Sequence, residues 1–500
     1  MNPDFEPPPR GRVAFTIVSG IATAIALIFG IETLATKFPN PNTSNKNATE
    51  SLNSQQSEML NSQAKRLAKL DAQAVQWEGT PVPLAQQLPI KLTAVPVAAR
   101  PLTATEQAIA RHAWEYFRHN WNETTGLVNS VNDFASVTLW DQAAALAALV
   151  SAKELRIIPT AEFEQKLDRM LTTLAKLPLY RKELPNKVYN AKTLIPVNYG
   201  KLDKPEEIGW SAIDLGRMVI WLQIVGSRYP KFQPQVTAIR NSWNVQRLTQ
   251  QGQMFGTSVI NGKEQYHQEG RLGYENYAAF GLKLWGLNVE KALETRSNTA
   301  FVNLYNQGVP YDKRDHATSG ANNYVLSEPY ILDGIETGFQ SLPKAYADRI
   351  LAAQESRYQA TNQLTAVTED NLDRAPYFVY NTLFVNGQPW GTITDTRTSR
   401  PDLRFLSAKA AIGWHVLYNT PYTEKLSQFV QTQLKADKGW YNGFYESLNS
   451  PNKALTANNN GVILESLLYQ QVGQPLIQWA QVNVPRSEES LPTGPSTIAP

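Results

Sequence analysis

Six times between residues 103 and 479 the chain opens a helix in the same manner, and this repetition limits the available folds more than any other feature. Each opening sets aromatic or small residues beside polar or charged ones and then runs apolar. The six are Leu139-Trp140-Asp141, Trp210-Ser211-Ala212-Ile213-Asp214, Gly273-Tyr274-Glu275-Asn276-Tyr277, Ser327-Glu328-Pro329-Tyr330, Leu406-Ser407-Ala408-Lys409 and Thr456-Ala457-Asn458-Asn459-Asn460. Behind the first, apolar residues recur at three and four in Leu139-Ala143-Leu146-Ala147-Val150, the spacing of one helix face. Between the openings lie amphipathic stretches such as 160–177 and 343–359. Six such helices with amphipathic companions predict an all-α fold, an (α/α)6 toroid of six helical hairpins. Period-two alternation is confined to residues 252–260 and 377–385, where small β excursions are expected. No Pro/Gly/Ser linker divides the body, so one toroid domain is expected over residues 101–482.

The segments flanking this body read differently. Residues 13–30 carry no charge, and at 1.5 Å per residue they span about 27 Å, close to the hydrocarbon thickness of a bilayer. Arg10 and Arg12 precede this run, so the positive-inside rule keeps residues 1–12 cytoplasmic and exports the remainder. Residues 13–35 are expected to be a single transmembrane anchor in the inner (plasma) membrane, with the main domain periplasmic. A cleaved signal peptide is the competing reading, because Thr33-Leu34-Ala35 could serve as a small-residue cleavage site. Residues 36–100, polar at first and later punctuated by Pro81, Pro83, Pro89 and Pro96, read as a spacer, with helical spacing over 62–75 as a stalk. Residues 483–500, rich in Ser, Pro and Glu, read as a disordered tail.

Composition removes several functional classes. There is no cysteine, hence no disulfide and no thiolate chemistry. The five histidines, His112, His119, His267, His316 and His415, show no metal-ligand spacing, so no metal site and no cofactor are expected. A net charge of +3 without a basic block speaks against nucleic acid as a partner. The oligomeric state is not legible.

A toroid gathers the N-termini of its inner helices at one mouth. Acids there have an ordinary explanation, since they cap helices and favour the first turn. The aromatic company suggests more: rings that stack on sugar faces beside carboxylates and amides that bond hydroxyls. Glycoside hydrolysis needs two carboxyl groups, one holding a proton and one ionised. The candidate catalytic acids are Glu275, Glu328, Asp141, Asp214 and Asp370. Pro329 suits the first helical turn and places Glu328 at the mouth. The candidate substrate-binding residues are Trp140, Trp210, Tyr274, Tyr330, Tyr377, Trp414, Trp440, Asn458 and Asn460. For any single ring, a core position with its polar tip satisfied is the competing assignment.

Several strings carry a family resemblance: Thr125-Gly126-Leu127-Val128, Ser136-Val137-Thr138-Leu139-Trp140-Asp141, Ser327-Glu328-Pro329-Tyr330, Ala375-Pro376-Tyr377-Phe378-Val379-Tyr380-Asn381 and Thr456-Ala457-Asn458, followed by Asn460-Gly461. They resemble an uncharacterised bacterial family common in cyanobacteria, domain of unknown function 3131, over nearly all of residues 103–471. That family is distantly similar to glucoamylase-like toroid proteins, some of which cleave β-linked glucans. The resemblance implies the toroid and an envelope setting, and it supplies no catalytic residues. Three readings follow. The first is a membrane-anchored glycoside hydrolase acting on an envelope or exopolysaccharide glucan. The second is a non-catalytic glycan-binding or scaffold protein of a polysaccharide synthesis or export system. The third is a polysaccharide lyase using residues such as Arg217, Asn276, Tyr277 and Arg374.

Overall fold

The computed structural model describes residues 62, 65–73, 75–76 and 98–485. The expected anchor, most of the spacer and nearly all of the tail lie outside these residues. Among the described residues no helix is long and apolar enough to cross a membrane.

Twelve helices alternate between an outer and an inner layer. The outer helices are α1 (Ala104–Asn120), α3 (Thr160–Leu174), α5 (Gln233–Ser242), α7 (Glu290–Leu293), α9 (Lys344–Thr361) and α11 (Pro421–Gln433). The inner helices are α2 (Leu139–Glu154), α4 (Ala212–Arg228), α6 (Tyr274–Leu284), α8 (Glu328–Leu332), α10 (Ala408–Tyr418) and α12 (Ala457–Val472). The inner six form a closed ring: α2 packs on α4, α4 on α6, α6 on α8, α8 on α10, α10 on α12, and α12 returns to α2. This is the expected toroid of six hairpins. The outer members cover it, α1 against α2 and α12, α3 against α2, and α9 against α8.

The sequence explains the two layers. In α3 the buried residues Phe163, Leu167, Met170, Leu171 and Leu174 follow helical spacing along one face, the mark of an outer helix. In α2 every residue from Leu139 to Ala152 is buried, so this helix is enclosed on all sides. Small residues make the enclosure possible. A Cβ at Gly216 would stand 2.4 Å from the carbonyl oxygen of Ala278, and one at Gly281 would meet the carbonyl of Gly216, so α4 and α6 touch backbone to backbone.

The connections are uneven. Inner helices pass to outer ones through short turns at 155–159, 229–232, 285–289, 338–343 and 419–420. Outer helices return to inner ones through long segments at 121–138, 175–211, 243–273, 294–327, 362–407 and 434–456. These segments carry the β structure: antiparallel hairpins pair Gln253–Ile260 with Lys263–Gln268 and Thr299–Leu304 with Gln307–Asp312, and small sheets surround Phe378–Asn381 and Phe405–Ser407. Both expected β excursions are present, and β structure is more widespread than the alternation indicated. The reason is that most of these strands are two to six residues long, too short for a period to register. All six long segments lead into inner helix N-termini, so the mouth is built from them.

Within the stretch read as spacer, residues 65–73 are helical and Asp71 is buried. The strand Val75–Gln76 pairs with Leu304 and Asn303. This part of the stretch is docked on the domain.

The α4–α6 contact yields a test. Gly216→Val forces a branched side chain against the Ala278 backbone and is expected to lower unfolding free energy by about 2–3 kcal/mol, as overpacked cores do. Urea denaturation followed by circular dichroism measures it.

Candidate active site at the toroid mouth

The six inner helix starts converge on a cluster of buried charges. Glu328 is the first residue of α8, with Pro329 behind it in the first turn. Its Oε2 lies 2.5 Å from Lys409 Nζ, its Oε1 accepts from Asn458 Nδ2 at 2.8 Å, and Arg217 Nη1 stands 3.9 Å away. Lys409, second in α10, also reaches Asp370 Oδ2 at 3.5 Å. The two carboxylate oxygens therefore stand no more than about 6 Å apart across one ammonium. Asp370 Oδ1 accepts from Asn442 Nδ2 at 2.8 Å and from the Asn371 amide at 2.9 Å. Beside it, Glu369 accepts from the Tyr274 hydroxyl and, at 2.7 Å, from Thr368 Oγ1.

One turn deeper, Arg217 donates to Asn458 Oδ1 at 2.6 Å and to Glu465 at 3.1 Å, with its guanidinium 4.6 Å from the Trp140 ring centre. Glu336 lies where α8 continues as a π-helix, Asp333–Thr337, and accepts from Trp221 Nε1 at 2.8 Å and the Tyr277 hydroxyl at 2.5 Å. On the neighbouring arc, Thr138 and Ser211 cap α2 and α4 and exchange hydrogen bonds with Asp141 and Asp214. Capping is thus part of what these two acids do. Ser211 also donates to Glu269, which accepts in addition from the Ala212 amide at 2.6 Å.

Burial sets the protonation of these groups. Desolvation, reinforced by the Glu328 charge and opposed by Lys409, pushes Glu369 up to about 7. Asp370 is pushed up to about 7 by burial, against the pull of Lys409. Asp141 rises to about 6 through burial, partly offset by hydrogen bonds from Ser130 and Thr138 and by the charges of Arg217 and Lys409. Asp214 is carried well above the carboxylate range by burial and by the Glu269 charge. Burial pulls the Lys409 ammonium down, but Asp370, Glu328 and Glu369 outweigh it and hold the lysine protonated. The result is a graded set: a cation fixed among acids, with carboxyl groups that exchange protons near neutrality.

Access is narrow. A cavity of about 30 Å³ lies beside the cluster, lined by residues that include Ile213, Tyr274, Asn322 and Tyr324. That holds a water and is too small for a sugar ring. Tyr324 stacks on Tyr380 with ring centres 3.8 Å apart.

Of the acids singled out in the sequence, Glu328, Asp370, Asp141 and Asp214 belong to this neighbourhood. Glu275 turns away to Gln268 at 2.8 Å and Arg314 at 2.6 Å, and burial still lifts it to about 7. Trp140, Tyr274 and Asn458 border the cluster. Trp210, Tyr330, Trp414, Trp440 and Asn460 do not: all five are buried in the core, with Trp210 donating to the Phe255 carbonyl and Trp440 to the Ile109 carbonyl. Asn460 accepts from the Trp440 amide and donates to the Thr456 carbonyl. The rings of Trp210 and Trp440 are thus buried with their polar edges engaged, whereas the buried Trp414 has no hydrogen-bond partner at its ring nitrogen. Tyr377 sits in the loop behind Asp370, its carbonyl accepting from the Leu372 amide. Of the lyase set, Arg217 and Tyr277 meet at Glu336, while Asn276 caps its own helix and Arg374 pairs with Asp373.

Lys409, Glu269 and Glu336 were not among the candidates, and Glu369, an acid the sequence offers beside Asp370, was passed over. Lys409 had a signal, because a cation in the first turn opposes the helix dipole and needs acids opposite. Among the described residues no group of three or more His, Asp and Glu side chains is arranged to hold a metal ion.

The fold and site define a six-hairpin α/α toroid with a charged mouth. The chain belongs to the family described as protein of unknown function (DUF3131), whose profile matches residues 108–473. Among solved structures it is similar to an endo-β-1,2-glucanase from Chitinophaga pinensis, solved with sophorotriose and glucose. That match has 13% identity and a TM-score of 0.56, over 76% of this chain and 95% of that one. A glucoamylase-like protein from Bacteroides caccae is similar at 12% identity and TM-score 0.53, over 75% and 97%. A β-1,2-glucanase from Parabacteroides distasonis gives 12% and 0.52, over 76% and 60%. At such identities the likeness establishes the shared fold. No curated protein sequence matches the chain significantly.

Two outcomes test the electrostatics. Glu369, Asp370 and Asp141 hold protons in the folded chain at pH values where the unfolded chain has released them. Folding stability therefore falls as pH rises from about 4.5 to 7, and the melting midpoint at pH 5.5 is expected to exceed that at pH 8. Lys409→Met removes the shared counter-charge and is expected to cost about 3–5 kcal/mol at pH 8, and less at pH 5.5, in chemical denaturation.

Proposed function

We propose that this protein is a membrane-tethered, extracytoplasmic glycoside hydrolase acting on an envelope or exopolysaccharide glucan, with the charged mouth as its catalytic centre. The observation that carries this reading is the set of carboxyl groups poised between about 6 and 7 at the N-terminal end of a closed six-hairpin ring. A general acid must hold its proton near working pH, and its partner must be ionised there. Glu369 is assigned as the proton donor: it is raised to about 7, and Tyr274, which hydrogen-bonds it, lines the cavity. Asp141, also raised by burial, is assigned as the base that activates water. Glu328, Asp370 and Lys409 set the field around the donor. The fold shared with β-1,2-glucanases supports a β-glucan as the first substrate to try.

A second reading, a non-catalytic glycan-binding or scaffold protein of polysaccharide synthesis or export, is favoured by one specific observation. Lys409 occupies the space between Glu328 and Asp370, where an open acid pair would leave room for substrate. The two readings diverge in one assay. The purified chain is incubated with β-1,2-, β-1,3-, β-1,4- and α-linked glucans, and new reducing ends are measured. The hydrolase reading expects release, a loss of 10²–10⁴-fold in kcat in Glu369→Gln and Asp141→Asn, and a rate optimum between about pH 6 and 7. Retention of glucan with no new ends in wild type assigns the protein to the binding reading.

A further inference from the structure

Outside the mouth, the most completely satisfied charge cluster joins the domain to residues that precede it. Asp71 lies in the helical segment 65–73 and is buried. Its Oδ1 accepts from Arg357 Nε at 2.9 Å and from the Tyr305 hydroxyl at 2.8 Å. Its Oδ2 accepts from Arg404 Nη1 at 2.7 Å and Arg357 Nη2 at 3.2 Å. Arg357 also makes a two-pronged pair with Glu446, 2.9 Å on each arm, and lies 5.0 Å from the Trp390 ring centre. Two arginines thus face two carboxylates, and one of those carboxylates comes from outside the toroid. Without Asp71, two guanidinium groups would share the single anion Glu446 in a buried setting, which is strongly unfavourable. Four residues on, Val75 and Gln76 extend the Thr299–Leu304 hairpin as a third strand, pairing with Leu304 and Asn303.

The two arginines lead directly to the mouth. Arg357 Nη1 donates to Thr365 Oγ1 at 2.8 Å, at the start of the segment that carries Glu369 and Asp370. Arg404 immediately precedes the strand Phe405–Ser407, which runs into α10 and Lys409.

We propose that residues 65–76 are a strap belonging to the toroid, seated by a carboxylate-binding site formed by Arg357 and Arg404, and that Asp71 positions the two segments delivering Glu369, Asp370 and Lys409. The docking holds whether the mouth cleaves glycan or only binds it, so its test does not depend on activity. A protease recognition sequence is inserted between Gln86 and Gln87 of the full chain, in wild-type and Asp71→Ala backgrounds. After cutting, the N-terminal piece is expected to stay with the toroid in size-exclusion chromatography for wild type and to separate for Asp71→Ala. The uncut Asp71→Ala chain is expected to melt about 5 °C lower, in line with the loss of a buried ion-pair partner in a domain of this size. Added formate, which fits the vacated arginine fork, is expected to restore that chain and leave wild type unmoved. Release of the wild-type piece on cutting, an Asp71→Ala chain as stable as wild type, or a loss that formate does not restore overturns the proposal. Should Asp71→Ala fail to fold, the cut wild-type chain decides alone: retention supports the strap and release overturns it.

Discussion

The ammonium of Lys409 is buried in the first turn of an inner helix, where the helix dipole opposes a cation. It is held there by Glu328 and Asp370, and the ring organises around that fact. α8 brings Glu328, α10 brings Lys409, and α12 brings Asn458 to bridge Glu328 and Arg217 of α4. α6 contributes Tyr274 to Glu369, and Asp141 of α2 feels both Lys409 and Arg217. All six inner helices therefore register their N-termini against one charge cluster. Replacing a buried ion network with apolar side chains often stabilises a protein. Stability alone is thus a weak reason for placing so many charges where the surrounding helices are lined with alanine, leucine and glycine. A site that must hold protons near neutrality is a better one.

The burial that tunes these groups is supplied by the chain around them. Carboxyl groups rise toward 7 because water is excluded, and water is excluded because the long outer-to-inner segments fold over the helix starts. A cavity of about 30 Å³ lies beside Tyr274. Tyr324, which lines it, is stacked on Tyr380. Hydration of these carboxyls would lower their pKa values, and exclusion of water raises them. Access and proton affinity are therefore one variable at this mouth.

The toroid was legible because burial on all sides and amphipathicity leave opposite periodic traces, and because six starts marked by polar or charged residues recur. Which aromatic residues face the mouth was not legible. Trp210 and Trp440 stand beside polar residues in the chain, yet their ring nitrogens are spent on the Phe255 and Ile109 carbonyls in the core. Adjacency along a strand-to-helix junction does not fix which way a ring points. Glu275 misled for a similar reason: it opens an inner helix, but Arg314, from a different long segment, draws it aside. Lys409 and Arg217 were readable as anomalies, since a charge within an enclosed helix requires a buried partner. The partners came from distant loops that no local pattern could name. Asp71 was hidden by its setting, a polar stretch whose composition resembles that of a linker.

Asp71 and Lys409 solve the same electrostatic problem at two places on one backbone. The Asp71 cluster is balanced on its own, with Arg357 and Arg404 against Asp71 and Glu446. The coupling of the two clusters is mechanical. The segment from Thr365 to Asp370 begins at Arg357 and ends at Lys409, while the chain from Arg404 to Lys409 begins at Asp71 and ends at Glu328. Two short stretches of chain therefore run between the clusters, one anchored by ion pairs at both ends and the other by a hydrogen bond at Thr365 and an ion pair at Asp370. Such a pair resists displacement where a single strand could pivot. The acids at the mouth are consequently positioned from outside the ring as well as within it, and residues 65–76 are part of that outer support.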